Sequence, residues 1–271
     1  MSVPRSRRAV LAGMLTLAGA AQAAGDAPLA REPWPGAKVL RGERYVVIGH
    51  RAHSGLLADL AARAERARRK VAAIWGPVRP VILFPETDAG AEVLAGAGAS
   101  DGLAAMATAD RVIVVPSGYA RLSRIGRDVV VAHELTHVAT GATRGGRVPT
   151  WLSEGFADYV GYSGSGLDVR TVAAELAGEV RAGTLPDGLP GPADFAPGAA
   201  RLPQVYEEAW LACRYIAGRF GERALVRLYG GGPSPGGSGP PSHGGDIEAV
   251  LGLSPAAFAA GWRDYLRREL G

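Results

Sequence analysis

Apolar positions along the chain change their period from region to region, and the changes mark out elements. Tyr45, Val46, Val47 and Ile48 stand together in Glu43–His50, which reads as a strand. Leu57, Leu60, Ala64, Val71 and Ile74 then recur at helical spacing from Ser54 to Trp75. Ser54 is placed to cap that helix, and Gly76-Pro77 stops it. Val78–Phe84 and Arg111–Pro116 are short strands rich in Val and Ile, and Glu86–Ala95 is a helix between them. The run Gly126 to Ala132 begins a buried helix that Gly141 ends. From there the pattern is helical. A helix runs to about Tyr159, and Asp168–Ala182 carries Val172, Leu176 and Val180 on one side. Gln204–Phe220 repeats Val205, Ala209, Ala212 and Ile216, and Pro255–Leu270 repeats Phe258, Trp262 and Leu266. Asp246–Leu251 is a short helix. Thr184–Pro203 and Gly230–Gly245 are rich in Pro and Gly and read as irregular. No internal repeat is visible. The expected fold is α+β: a small N-terminal mixed sheet with helices over 43–145, then a mainly helical subdomain over 146–271.

The first residues change the picture of charge and location. Arg5, Arg7 and Arg8 precede an apolar run, Ala9 to Ala21, and Ala21-Gln22-Ala23 is a small-x-small cleavage site. Residues 1–23 therefore read as an export signal too short to remain as a membrane anchor. Ser6-Arg7-Arg8-Ala9-Val10-Leu11 resembles a twin-arginine signal. Secretion or residence in the cell envelope is expected, with 24–42 a leader that is unstructured over Asp26–Lys38. Without residues 1–23 the chain keeps 27 basic against 26 acidic side chains, so its high pI points to no nucleic-acid partner. Cys213 is the only cysteine, so no intrachain disulfide supports the core. It falls in an apolar helical pattern and reads as a small buried residue. A monomer is expected.

The candidate chemistry lies in His133-Glu134-Leu135-Thr136-His137. Residues four apart on a helix share a face, so both imidazoles point at one spot and can share an ion. Glu134 between them can take a proton from water at that ion. His-Glu-x-x-His on a helix is a zinc-hydrolase pattern. A catalytic zinc needs three protein ligands and an open position. Glu154, in Trp151-Leu152-Ser153-Glu154-Gly155-Phe156-Ala157-Asp158-Tyr159, is the candidate third ligand. Asp158 stands one turn later, where a carboxylate can orient a ligand histidine. His50 and His53 lack an acidic or cysteine partner nearby in sequence and read as loop residues.

These two motifs resemble the thermolysin-like, or gluzincin, zinc metallopeptidases, and among them the small secreted bacterial domains called peptidase MA-like. The resemblance implies a zincin fold and one zinc ion on His133, His137 and Glu154. It further implies Glu134 as general base, Asp158 behind a ligand histidine, and a peptide or protein substrate. The gap from His137 to Glu154 is shorter than in thermolysin or the large aminopeptidases, so a tighter turn is expected. The resemblance also implies an extended substrate lying on a sheet-edge strand, here Ala104–Thr108 or Arg111–Val115, with Val112 and Val114 as contact residues. Some relatives stabilise the carbonyl oxyanion with a Tyr or His downstream of the third ligand. Tyr206 is the candidate here, ahead of His243. Gly102–Ala107 lacks the Glu with which the aminopeptidases grip a free amine, which favours an endopeptidase. The alternative is an inactive or structural zinc-containing binding module of the same fold.

Overall fold

A computed structural model describes residues 33–96, 102–144, 148–230 and 245–271. Residues 1–23, residues 24–32 of the leader and His243 lie outside the described residues. The chain is α+β and divides into two compact units, the first running to Gly146 and the second from Arg147. Among the described residues no helix is long and apolar enough to cross a membrane.

Unit 1 is built on an open five-stranded sheet of order β1-β2-β3-β5-β4. Its strands are β1 (Lys38–Arg41), β2 (Val46–Gly49), β3 (Val81–Phe84), β4 (Ala105–Ala107) and β5 (Val112–Val114). β1 falls in the leader, starting where its expected unstructured stretch ends. It pairs antiparallel with β2, in register Val39 with Ile48, and half of its short Lys-Val-Leu-Arg run is exposed. With so little apolar sequence, its pairing gave no periodic signal. α1 (Ser54–Ile74) returns the chain so that β3 runs parallel to β2, with Val47 opposite Ile82. Ser54 does not cap α1. Its hydroxyl donates to the Arg51 carbonyl in the preceding 3₁₀ turn, and His53 takes the N-cap position without a side-chain bond. α2 (Asp88–Ala95) is capped by Thr87, which accepts from the Gly90 amide at 3.1 Å.

β4 and β5 are the arms of one hairpin, closed by the Thr108 amide on the Arg111 carbonyl at 2.8 Å. β5 then runs parallel to β3 on its other side. Ile48, Leu83 and Ile113 meet Ala91, Leu103 and Met106 in a core cluster on one face of the sheet. Val47, Ile82, Val112 and Val114 alternate to the opposite face, also wholly buried. α3 (Pro116–Arg121) leads from β5 into α4 (Arg124–Thr140), which packs on α1, β4 and β5.

Unit 2 is helical. α5 (Thr150–Tyr162) lies along α8 (Leu202–Phe220), the longest helix of the unit. The helix expected over Asp168–Ala182 is two: α6 (Val169–Val172) and α7 (Ala174–Arg181). The backbone leaves the helical region at Ala173 (φ −103°, ψ 54°) and restarts. Thr184–Pro203 is irregular apart from a 3₁₀ turn at Pro192–Phe195 and the start of α8. α9 (Glu222–Tyr229) packs on α8, α10 (Ile247–Leu251) on α9, and α11 (Pro255–Leu270) on α7 and α8. Leu152, Phe156, Leu211, Ile216, Leu225, Phe258 and Trp262 are among the buried side chains of its core.

Candidate metal centre

α4 carries the histidine motif, and its ends are tied to other elements of unit 1. Ser123 caps it through the Gly126 amide at 3.0 Å. Arg63 of α1, only 2% exposed, reaches across to the same end. Its guanidinium donates to Asp59 at 2.8 and 3.0 Å and to the Arg124 carbonyl at 2.7 Å, and it pairs with Asp128 at 2.9 Å. Arg127 donates to the Tyr119 carbonyl at 3.2 Å and stacks over the Tyr119 ring. At the other end the Trp75 indole donates to the Ala139 carbonyl at 3.1 Å, and Gly141 closes the helix in the left-handed region (φ 71°). Between these ties every residue from Val129 to His137 is buried. A buried cation bridging two carboxylates fixes helix register well, because an unpaired charge there is costly.

His133 and His137 are wholly buried, and their Nε2 atoms lie 3.0 Å apart with the rings 75° to one another. With metal–nitrogen bonds of about 2.05 Å, that 3.0 Å separation corresponds to an N–metal–N angle of about 95°. A small opening of the pair reaches the tetrahedral value. Glu134 follows His133 and is equally buried. The neighbouring Thr136 hydroxyl is satisfied within the helix by the Ala132 carbonyl at 2.7 Å.

α5 carries the second motif. Glu154 and Asp158 stand one turn apart and are 3% and 1% exposed. Gly155 between them rests against α8. A β-carbon there would lie 2.2 Å from the Ala209 carbonyl oxygen and 3.0 Å from the Cys213 sulfur. Cys213 is buried, as its sequence pattern predicts. Burial pushes its thiol pKa up, and the nearby Asp158 charge adds to the shift.

His133, His137 and Glu154 form a buried group that could hold a metal ion: one ligand atom from each lies within 4.8 Å of the others. It is the single such group of His, Cys, Asp and Glu among the described residues. Two imidazoles and one carboxylate are a donor set that suits a first-row divalent ion.

Other candidates fall differently. Tyr206 is 2% exposed near the start of α8, its ring edge-on to Phe195 at 5.3 Å. Trp210, one turn on in α8, pairs with Tyr162 at 5.4 Å. Val112 and Val114 do not lie on a sheet edge. β5 is bonded on both sides, to β3 and to β4, so its backbone has no free row of donors and acceptors for a peptide. The edge beside it is β4, within the other segment considered, Ala104–Thr108. The hairpin partner decided this, and residues as short and small as Ala-Met-Ala give little strand signal. His50 and His53 belong to loop packing: His53 stacks on Phe84 at 4.3 Å, and His50 sits 3.6 Å from the Glu86 carboxylate.

Sequence reasoning missed Glu207. It is 2% exposed, and its Oε2 accepts from the Leu176 amide at 2.7 Å. Ala173 has no side-chain oxygen to cap α7, so a carboxyl from α8 does so. Burial, with the nearby Glu175 carboxylate adding to it, pushes the Glu207 pKa up to about 9 against the opposing pull of the Leu176 amide. Only the fold brings these groups together, and α8 reads as an ordinary amphipathic helix without it.

No family model matches the chain, and no curated protein matches it.

Proposed function

We propose that the protein is an exported zinc metallopeptidase of the gluzincin kind, cleaving peptide bonds within peptide or protein substrates. One observation carries the reading: a buried His133–His137–Glu154 group with Glu134 set between the two histidines on α4. His133, His137 and Glu154 would hold zinc, and Asp158 would orient a ligand imidazole. A bound zinc ion supplies a Lewis acid for the scissile carbonyl and brings the pKa of water down to about 7. Glu134 accepts the proton of the attacking water and returns it to the leaving amine. Tyr206 donates to the developing oxyanion. The backbone of β4 holds the substrate as an added strand, without reading its side chains. Residues 1–23 direct export, and the lone, buried Cys213 suits an oxidising compartment, since it has no partner thiol to mispair with.

The test uses the chain from Ala24 onward, loaded with zinc, beside Glu134→Gln. Both are incubated with a mixed peptide library, and new termini are read by mass spectrometry. Cleavage by wild type, reduced by about 10²–10⁴-fold in a variant that keeps its zinc, is expected. Full turnover by Glu134→Gln would overturn the general-base role. Stoichiometric zinc with no cleavage by either protein would favour a structural or binding site on the same scaffold.

A further inference from the structure

Gly155 lies between the two carboxylates that the proposed function uses on α5, at a point where α5 comes too close to α8 for a β-carbon to fit. A β-carbon at 2.2 Å from the Ala209 carbonyl oxygen meets backbone, which cannot rotate away. Real β-carbons do not come closer than 3.0 Å to such an atom, so accommodating one displaces α5 from α8 by about 0.8 Å or more. The Cys213 sulfur lies at 3.0 Å on the same side, and the Asp158 charge acts on that thiol, so the floor under Gly155 is also the surroundings of Asp158. A metal site tolerates ligand displacements of only about 0.2 Å. The depth at which α5 seats on α8 is therefore the quantity that places Glu154 and Asp158.

We propose that Gly155 and Cys213 are positioning residues for the Glu154–Asp158 pair: a helix–helix contact with no side chain at 155 and a small one at 213 sets the carboxylates at metal-binding depth. The inference rests on the reading of Glu154 as a zinc ligand. It adds a reason for the small residue beside that ligand which has nothing to do with turn formation, since Gly155 is inside a helix.

The experiment measures zinc affinity by competition with a chromogenic chelator, the visible spectrum of the cobalt-substituted protein, and melting in EDTA. It compares wild type, Gly155→Ala, Cys213→Val and, as control, Gly178→Ala on α7, where a β-carbon would meet nothing within 4 Å. Gly155→Ala should bind zinc at least tenfold more weakly and show an altered cobalt spectrum while still melting cooperatively. Cys213→Val, which presses the same contact with a bulkier group, should give a smaller loss in the same direction. Gly178→Ala should bind as wild type does. If Gly155→Ala does not fold, Cys213→Val decides. A folded Gly155→Ala, or failing that a folded Cys213→Val, with wild-type zinc affinity and cobalt spectrum overturns the positioning role. Wild type that binds no zinc overturns instead the metal reading beneath it.

Discussion

Two buried ionisable groups, Arg63 of unit 1 and Glu207 of unit 2, are handled in opposite ways. Arg63 is answered by Asp59, Asp128 and the Arg124 carbonyl. What faces Glu207 is another acid, Glu175, and a helix amide. Arg201 neutralises Glu179 and the adjacent Glu208. Arg63 therefore keeps its charge and is compensated. The surroundings of Glu207 favour its protonated form instead. The pH consequences differ in sign. Burial raises the Asp59 pKa, but the Arg63 hydrogen bond and surrounding cations outweigh it and hold it below the usual range. That contribution to stability is present above the ordinary Asp value and lost as pH falls. Glu207 behaves in the reverse sense, so acid weakens the first arrangement and alkali the second.

The largest effect expected is on the proposed metal ligands. If α4 and α5 hold one ion, removing a ligand from either helix should have the same result. His137→Ala and Glu154→Ala should each fall from one zinc per chain toward none by elemental analysis after dialysis. Each should also lose the zinc-dependent rise in melting temperature that linkage requires of wild type. A His137→Ala protein that keeps stoichiometric zinc would sink the ligand set. Loss in His137→Ala alone would leave the ion to α4 and remove Glu154 from it.

Next in size is the clamp at the start of α4. Arg63→Ala removes a nearly fully buried cation and leaves Asp59 and Asp128 to repel. Because the two carboxylates are about a third exposed, the cost should sit at the lower end for a broken buried pair, about 3 kcal/mol. Urea unfolding checks it. A midpoint within error of wild type would show that the packing of α1 on α4 holds the helix without the ion pair.

Such a clamp was not legible in the sequence, while the motifs beside it were. Helical spacing placed α1, α4, α8 and α11 because each buries one long stripe, and period survives without knowledge of the partner. His133, His137, Glu154 and Asp158 could be picked out because their spacing on two helices is itself the chemical requirement. The features that escaped depend on distant partners. Arg63 reads as one more arginine on a basic helix until Asp128 is folded against it. β1 lies in a stretch too short and too polar to show a period. Val112 and Val114 read as a sheet edge until β4 is paired alongside. Ala173 has good helix propensity, yet the chain breaks there because Glu207 supplies the cap for a restart.

Glu207 also provides the smallest and most specific test of the contrast between the units. Its pKa in the folded protein, about 9, stands far above the ordinary value of 4.5. Between those values the folded chain holds a proton that the unfolded chain has lost, so stability falls as pH rises through that window. Glu207→Gln keeps an oxygen to accept from the Leu176 amide and an N–H to donate toward Glu175, but has nothing to titrate. Melting temperature measured from pH 5 to pH 9 should decline for wild type and decline less for the variant. The two curves should lie closest at the acid end and separate toward the alkaline end, with the variant the more stable there. Because Glu179, Glu208 and Arg201 are present in both proteins, their titration cancels in the difference. Parallel curves would mean that Glu207 carries its charge in the folded state, answered by some group other than a proton, and it would then be a compensated buried charge as Arg63 is.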